Sequence, residues 1–423
     1  MTMTQPMVQE VAGAARESAI GRPIHVYMMD MLPTVPYYTG SLSASLNNID
    51  GLRVSIGCVT YYLDRDLFHR ERLVTDPALL DLVSRLRTAP AAMRRALKLI
   101  EYLTNLAALV PRFLVSRPDV IHVQFLPTVK FGLPVELWFL QIARRLGIKV
   151  VYTVHNVLPQ DTGERHRAKY QRIYQLADRL ICHDAGARDR LIHEFRVSAS
   201  RISVIAHGPL LESGPTASIE SFLKKMGIPA NRRLVLWQGI LRPYKGVSFL
   251  LNAWKQVQSK GVRATLMIVG NGEEEMTGAI RSEVARLGIE SSVVLDFRFV
   301  SIAELSEYYS AADVLAYPYR EITTSGALMT GIGYGKAIVA TRQPAFRQVL
   351  REGESALMVE YGDVEDLAHK LTQLIEDPQL RVRLGEQARK SYVNGPQWPD
   401  IAKQTLDCYR ATLPGSAFNG KTN

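Results

Sequence analysis

The strongest constraint in this chain is an alternation. Short apolar, β-branched runs recur along it, each followed by a stretch with helical periodicity. In the first half IHVYMM (24–29), RVSIGCV (53–59), DVIHVQ (119–124), KVVYTV (149–154), DRLICH (178–183) and RISVIA (201–206) read as strands. Helical patterns fall between them near 41–49, 77–117, 133–146, 164–176 and 185–195. Strands joined by helices run parallel, and a parallel sheet covered on both faces needs strands that are apolar throughout. The stretch HGPLLESGPTASIESFLKKMGIPANRR (207–233) breaks the rhythm with three prolines and reads as an interdomain linker. A second alternation follows: RLVLWQ (233–238), ATLMIVG (264–270), SVVLDF (292–297), DVLAY (313–317), AIVAT (337–341) and ALMVE (356–360). Its helices fall near 246–258, 273–287, 302–310, 325–334 and 363–375, and two more, near 378–392 and 397–411, follow without strands. The expected fold is α/β, with two doubly wound, Rossmann-like domains in tandem and a cleft between their strand ends, where ligands of open parallel sheets bind.

These patterns give a lead-in over 1–20, an N-terminal domain over 21–210, a linker over 211–230 and a C-terminal domain over 231–395. A last helix over 396–413 has the N-terminal domain as one place to pack, and 414–423 reads as a disordered tail. The chain has 423 residues, 47% of them hydrophobic, enough for two cores. Cys58, Cys182 and Cys408 lie far apart without a CxxC pair, which argues against a disulfide framework or zinc site and fits a reducing, cytoplasmic compartment. The N-terminal residues lack an apolar core of signal-peptide length and carry Glu10 and Glu17, so they read as disordered and not as a targeting segment. No apolar run is long enough to span a bilayer. The net charge of +10 favours anionic partners without choosing among nucleotides, phospholipid surfaces and nucleic acid.

Chemistry concentrates in WQGILRPYKGVSFLLNAW (237–254). A strand ends at Gly239, a turn follows, and Lys245-Gly246 opens a helix. Arg242 and Lys245 thus stand beside free N–H groups at a helix start, an arrangement suited to a diphosphate. Two solvated basic residues in a surface turn would leave the same trace. His155 and Asn156 follow the strand KVVYTV directly, at the end where open α/β sheets bind ligands.

GILRPYKGVSFLLNAW resembles the donor-phosphate segment of family-4 glycosyltransferases with the GT-B fold. The likeness continues through LMIVGNGEEE (266–275), FVSIAELSEYYSAADVLAYPYRE (299–321) and SGALMTGIGYGKAIVAT (325–341), and reaches back to VVYTVHNVLP (150–159) and VIAHGPL (204–210). Order and spacing agree over roughly 120–410. The resemblance implies a metal-independent, retaining hexosyl transfer from a UDP- or GDP-sugar, with no cofactor beyond that substrate. Arg242, Lys245 and Gly239 then hold the donor diphosphate, and fixed positive charge stabilises the leaving group. The family's histidine at the place of His155 contacts the donor sugar near the reacting carbon. Two glutamates usually stand eight positions apart in the donor-sugar loop, and ungapped counting puts those columns at Ile322 and Thr330. Glu321 sits one residue early and is the candidate for the first role; Thr330 offers a hydroxyl in the second. Ser325 and Gly326 present N–H groups at a helix start. Gly270, Gly272 and Arg298 fall where the base is read. His207 stands as hinge or donor contact, and Gly40, in PYYTGSLSASL, resembles the family's glycine loop without its paired glycine.

Other readings compete. Asp64-Arg65-Asp66 has the DxD form that holds a divalent ion in another glycosyltransferase architecture, but so short a match arises easily by chance. Residues 91–117 carry apolar residues at Met93, Leu97, Ile100, Leu103, Leu106, Val110 and Phe113, with Arg94, Arg95, Lys98, Arg112 and Arg117 between them and Pro111 expected to end or bend the helix. They read either as a helix approaching an anionic membrane at the inner face of the plasma membrane, or as one packing on the N-terminal sheet. Similar family members extend polyprenyl-diphosphate-linked saccharides in bacterial exopolysaccharide or cell-surface glycan synthesis, which makes such a saccharide the expected acceptor. A nucleotide-sugar epimerase of the same fold and a transferase acting on a soluble small-molecule acceptor are the alternatives. No helix-turn-helix, zinc module or aromatic-basic RNA motif supports a nucleic-acid partner.

Overall fold

A computed structural model describes residues 22–32, 35–59, 67–70, 72–86, 90–129, 132–159, 163–208, 218–322 and 325–413. The expected lead-in and tail, much of the linker, and Asp64-Arg65-Asp66 lie outside the described residues. The chain forms two compact units. One runs to Ala206 and takes in Trp398 onward; the other spans His207–Gln397.

The N-terminal unit is built on a six-stranded, wholly parallel sheet of order β2-β1-β3-β4-β5-β6. Its strands are β1 (Ile24–Met29), β2 (Leu52–Gly57), β3 (Val120–Val123), β4 (Lys149–Val154), β5 (Arg179–Cys182) and β6 (Ile202–Val204). Helices α1 (Pro36–Asn47), α2 (Leu67–Arg70), α3 (Ala91–Val115), α4 (Val135–Arg145), α5 (Arg167–Leu176) and α6 (Ala185–His193) join them. β3 is buried at every position and β4 at all but its first residue, as a sheet covered on both faces requires. Chain order reverses at β1, which lies between β2 and β3, so the topological switch point falls there.

The C-terminal unit repeats the plan in the order β12-β11-β10-β7-β8-β9, again all parallel. Helix α7 (Ile219–Lys225) comes first, inside the stretch read as linker; its amphipathic IESFLKK seats Phe222 edge-on against Tyr308 at 4.9 Å. Then come β7 (Arg233–Gln238), α8 (Val247–Ser259), β8 (Ala264–Val269), α9 (Glu274–Leu287), β9 (Val293–Asp296), α10 (Ile302–Ala311) and β10 (Val314–Tyr317). The unit closes with α11 (Gly326–Gly333), β11 (Ala337–Thr341), α12 (Pro344–Arg347), β12 (Leu357–Val359), α13 (Val364–Glu376) and α14 (Pro378–Val393). β7 lies between β10 and β8, so here the switch point is the gap between β7 and β10.

The last helix, α15 (Trp398–Arg410), belongs to the N-terminal unit. Trp398 meets Tyr38 of α1 edge-on at 5.3 Å, and the Tyr409 hydroxyl lies 2.7 Å from Nδ1 of His122 on β3.

Two local expectations change. Pro111 does not end α3, which continues to Val115 around it. The helix is held from the side: Tyr102, Leu106, Leu109 and Phe113 are buried, Glu101 accepts N–H groups of Leu82 (2.6 Å) and Val83 (2.9 Å), and Arg112 pairs with the buried Asp76. The apolar stripe also divides. Leu106 and Phe113 face the core, whereas Met93 and Ile100 are exposed. Gly40 is not in a glycine loop. Pro36 occupies a first-turn position and starts α1 early, which places Gly40 inside that helix, where an added Cβ would meet only ordinary contacts at 3.7 Å and beyond.

Candidate active site

The loops at the C-terminal switch point are built by close backbone approach. β7 ends at Gln238 and β8 at Val269, and the next residues, Gly239 and Gly270, both have positive φ (155° and 136°). A Cβ on Gly270 would fall 1.9 Å from the Gly239 carbonyl oxygen, and one on Gly272 would fall 2.7 Å from Leu241 Cβ. Leu241 N–H donates to Asn271 O at 2.8 Å. The two turns therefore lie against each other, and Gly270 and Gly272 are required by this packing.

Arg242 leads into a short 3₁₀ turn, Pro243–Lys245, and Gly246 (φ 69°) precedes α8. A Cβ on Gly246 would overlap the Pro318 carbonyl oxygen at 1.8 Å, and Arg320 N–H donates to Tyr244 O at 2.7 Å. The loop after β10 thus closes over the start of α8. Lys245 is half-buried, and its Nζ sits over the Tyr319 ring at 5.5 Å, an arrangement that favours the cation. A Cβ at Gly239 would come within 2.6 Å of that nitrogen, so glycine there makes room for it. Burial, with the Arg242 cation as a second cause, pushes the Lys245 ammonium down to about 8. Among the described residues no carboxylate pairs with it. Arg242 is half-exposed and pairs with the exposed Glu273 at 3.2 Å, a surface contact worth at most about 1 kcal/mol.

The loop after β10 leads to Glu321, which is exposed, and on to α11. Ser325 caps that helix by accepting Leu328 N–H at 3.2 Å, which leaves the N–H groups of Gly326 and Ala327 at the helix start without helical acceptors. Thr330 lies on the buried face of α11, 4% exposed. Arg298 is engaged by the protein itself: Asp296 at 3.0 Å, Glu304 at 2.8 Å and the Tyr308 hydroxyl at 3.1 Å. Only its outer face is left for a ligand. His207 begins the unit and faces Gly208 O at 2.7 Å.

In the N-terminal unit, polar side chains gather where β1, β3, β4 and β5 end. Asp30, just past β1, is buried and accepts the Thr39 hydroxyl at 2.9 Å. His155 follows β4, with Nε2 3.1 Å from Gln124 Oε1 and Nδ1 3.2 Å from His183 Nε2. Tyr38 packs edge-on against His155 at 4.8 Å, and half-buried Asn156 comes next in the chain. Both ring nitrogens of His155 therefore face protein groups. Gln124, His183 and Tyr38 escaped the sequence reading. The trace of Gln124 and His183 was a polar residue closing the apolar runs DVIHVQ and DRLICH, the same signal that singled out His155; Tyr38, inside α1, had no such mark.

Two Rossmann-like units, each presenting polar groups at its strand ends, have the architecture of the GT-B fold. The chain matches the model of Glycosyltransferase Family 4 over residues 50–209 and that of Glycosyl transferases group 1 over residues 232–377. D-inositol 3-phosphate glycosyltransferase of Corynebacterium efficiens is 25% identical over 313 residues, which cover 71% of this chain and 73% of the relative. Its namesake in Corynebacterium aurimucosum is 25% identical over 408 residues, 91% of this chain and 96% of the relative. Among solved structures, Anabaena HepE in complex with UDP and glucose superposes with a TM-score of 0.71 at 17% identity, covering 92% of this chain and all of HepE (100%). WaaG, a glycosyltransferase involved in lipopolysaccharide biosynthesis, superposes with a TM-score of 0.63 at 16% identity, over 93% of this chain and 100% of WaaG. The chain belongs to the family-4-like glycosyltransferases of the GT-B fold.

Proposed function

We propose that this glycosyltransferase moves a hexose from a UDP-sugar, held by the C-terminal unit, to a saccharide acceptor held by the N-terminal unit. The observation that carries the reading is Lys245: an ammonium at the β7/β10 switch point, beside a helix start, with no anion of the described residues paired to it. A donor pyrophosphate supplies the missing charge, and Arg242 reaches it by leaving a weak surface pair. These cations take the place of a metal ion at the leaving group, and the resemblance to the family favours a retaining outcome. Bound UDP in the HepE structure favours uracil over guanine as the base. Glu321 and the N–H groups behind Ser325 are proposed for the sugar, Gly270, Gly272 and the outer face of Arg298 for the nucleoside, and His155 for the reacting centre, with Asn156 beside it.

For the acceptor, α3 favours a lipid-linked saccharide. Met93, Ile100, Leu114 and Val115 are 47, 58, 66 and 90% exposed, and Arg94, Arg95 and Lys98 lie on the same helix, a composition suited to the surface of an anionic membrane. No helix of the described residues is long and apolar enough to cross a membrane, so this contact would be peripheral, at the cytoplasmic leaflet. The names of the curated relatives favour a second reading, a small phosphorylated polyol as acceptor. Radiolabelled UDP-glucose, offered with a polyprenyl-diphosphate saccharide in anionic vesicles or with inositol phosphate in solution, separates the two by which product carries label. Label in neither, with a new epimer formed from donor alone, would replace transfer by epimerisation.

A further inference from the structure

Two imidazoles stand in line at the strand ends of the N-terminal unit, and their partners determine where the protons sit. Nδ1 of His183 lies 3.0 Å from the carbonyl oxygen of Ile205, which only accepts, so Nδ1 carries a proton. His183 is 9% exposed, and burial pushes its pKa down to about 4, so the ring is neutral at pH 7 and Nε2 holds a lone pair. That lone pair faces Nδ1 of His155 at 3.2 Å. A second lone pair there would repel it, so Nδ1 of His155 carries the hydrogen between the rings.

We infer that His183 is a positioning residue that fixes a proton on Nδ1 of His155 and leaves Nε2, facing Gln124, as the nitrogen whose protonation varies. An isolated imidazole in water prefers its proton on Nε2, so the preference is reversed here. Gln124 accommodates either state of Nε2. Its amide oxygen accepts from a protonated Nε2, and the same amide turned over offers N–H to a bare one. The other end of the amide faces His122 Nε2 at 3.2 Å, whose remaining partners are hydroxyls that suit either role, and Met28 Sδ at 3.0 Å, a weak acceptor whose contact is all that a turned amide forfeits. Among the described residues, the titratable groups packed around the pair include Tyr38 of α1, at 4.8 and 5.4 Å between ring centroids, and His122 of β3, reached through Gln124. Burial pushes the Tyr38 hydroxyl up and His122 down to about 3, which keeps both neutral. The proton placement stands on geometry; its bearing on sugar transfer rests on the proposed function.

Nitrogen-15 NMR of the ring-labelled full chain, free of ligand, tests the placement, with His155→Gln used to assign the resonances. The wild type should show His155 protonated on Nδ1. His183→Phe keeps the ring but removes the acceptor, and His155 should then move to the Nε2–H form. In His183→Gln one amide donates to Ile205 O and accepts from Nδ1, so the wild-type pattern should return. Turnover should follow the proton: kcat lower by about tenfold or more in His183→Phe at unchanged donor KM, and recovered in His183→Gln. A bare Nδ1 in the wild type, or an unmoved proton or unchanged kcat in His183→Phe, overturns the inference. Wild-type turnover in His155→Gln, with the protons placed as stated, overturns instead the catalytic role proposed for His155.

Discussion

At the scale of single residues, Lys245 carries opposite costs for stability and binding. In the folded chain its ammonium titrates at about 8, whereas an unfolded lysine titrates near 10.4. Between those values the unfolded state binds more protons, so stability rises with pH across that window, and below about 8 the buried charge costs stability. Lys245→Met should therefore raise the melting temperature of the ligand-free protein at pH 7, measured by calorimetry, while weakening donor binding. Donor affinity of the wild type should fall about tenfold per pH unit above about 8, since each pyrophosphate bound then takes up one proton. Titration calorimetry in buffers of different ionisation enthalpy reads that proton directly. Gly246 is constrained twice, by a φ of 69° and by the Pro318 carbonyl 1.8 Å from where a Cβ would lie. Gly246→Ala should cost more than about 3 kcal/mol in a denaturant titration, or displace the loop after β10 and remove donor binding with it.

At the scale of elements, α3 is fastened to the N-terminal unit by polar groups as well as by its apolar stripe. Asn105 is 1% exposed; it accepts Leu80 N–H at 2.7 Å and donates to Leu80 O at 2.9 Å. Asn105→Leu strands both backbone groups and should cost about 1–3 kcal/mol, read as a lower urea midpoint. Glu136, at the start of α4, accepts Thr128 N–H at 2.6 Å and the Tyr102 hydroxyl at 3.0 Å, yet burial pushes its carboxyl up to about 7. The native state then holds a proton that the unfolded chain has released. The stability due to this group should be full below about pH 4.5 and decline as pH rises through 7, and Glu136→Gln should flatten that slope in pH-dependent melting. The elements that sequence reading found best are those whose environment is uniform. β1, β4, β7 and β11 match their runs to the residue, because a doubly covered parallel strand buries a near-continuous apolar stretch. α7 was hidden among Gly, Ser and Pro, and Gly40 was misread because Pro36 starts α1 earlier than the glycine suggests. Lys245 was legible as a cation at a helix start. Its burial was not, since that depends on the loop after β10 closing over Gly246 from some seventy residues away. Gln124 and His183 were visible as polar strand ends, but their contact with His155 needs the lateral order β3-β4-β5, which no local pattern encodes.

At the scale of the whole molecule, the positive charge of +10 and the exposed apolar residues of α3 combine in one expectation. The protein should sediment with vesicles containing phosphatidylglycerol and not with phosphatidylcholine alone, and Ile100→Glu with Val115→Glu should abolish it; equal sedimentation of that double variant would remove α3 from the contact. The proposed function makes a sharper demand, because it assigns the donor to one unit and to one ammonium. Titration calorimetry of UDP-glucose into the wild type and Lys245→Met, at pH 7 and with both folds checked by circular dichroism, measures this most directly. Loss of a buried charge-assisted contact should weaken donor binding about tenfold to a hundredfold. Equal affinity in the two proteins would contradict the account.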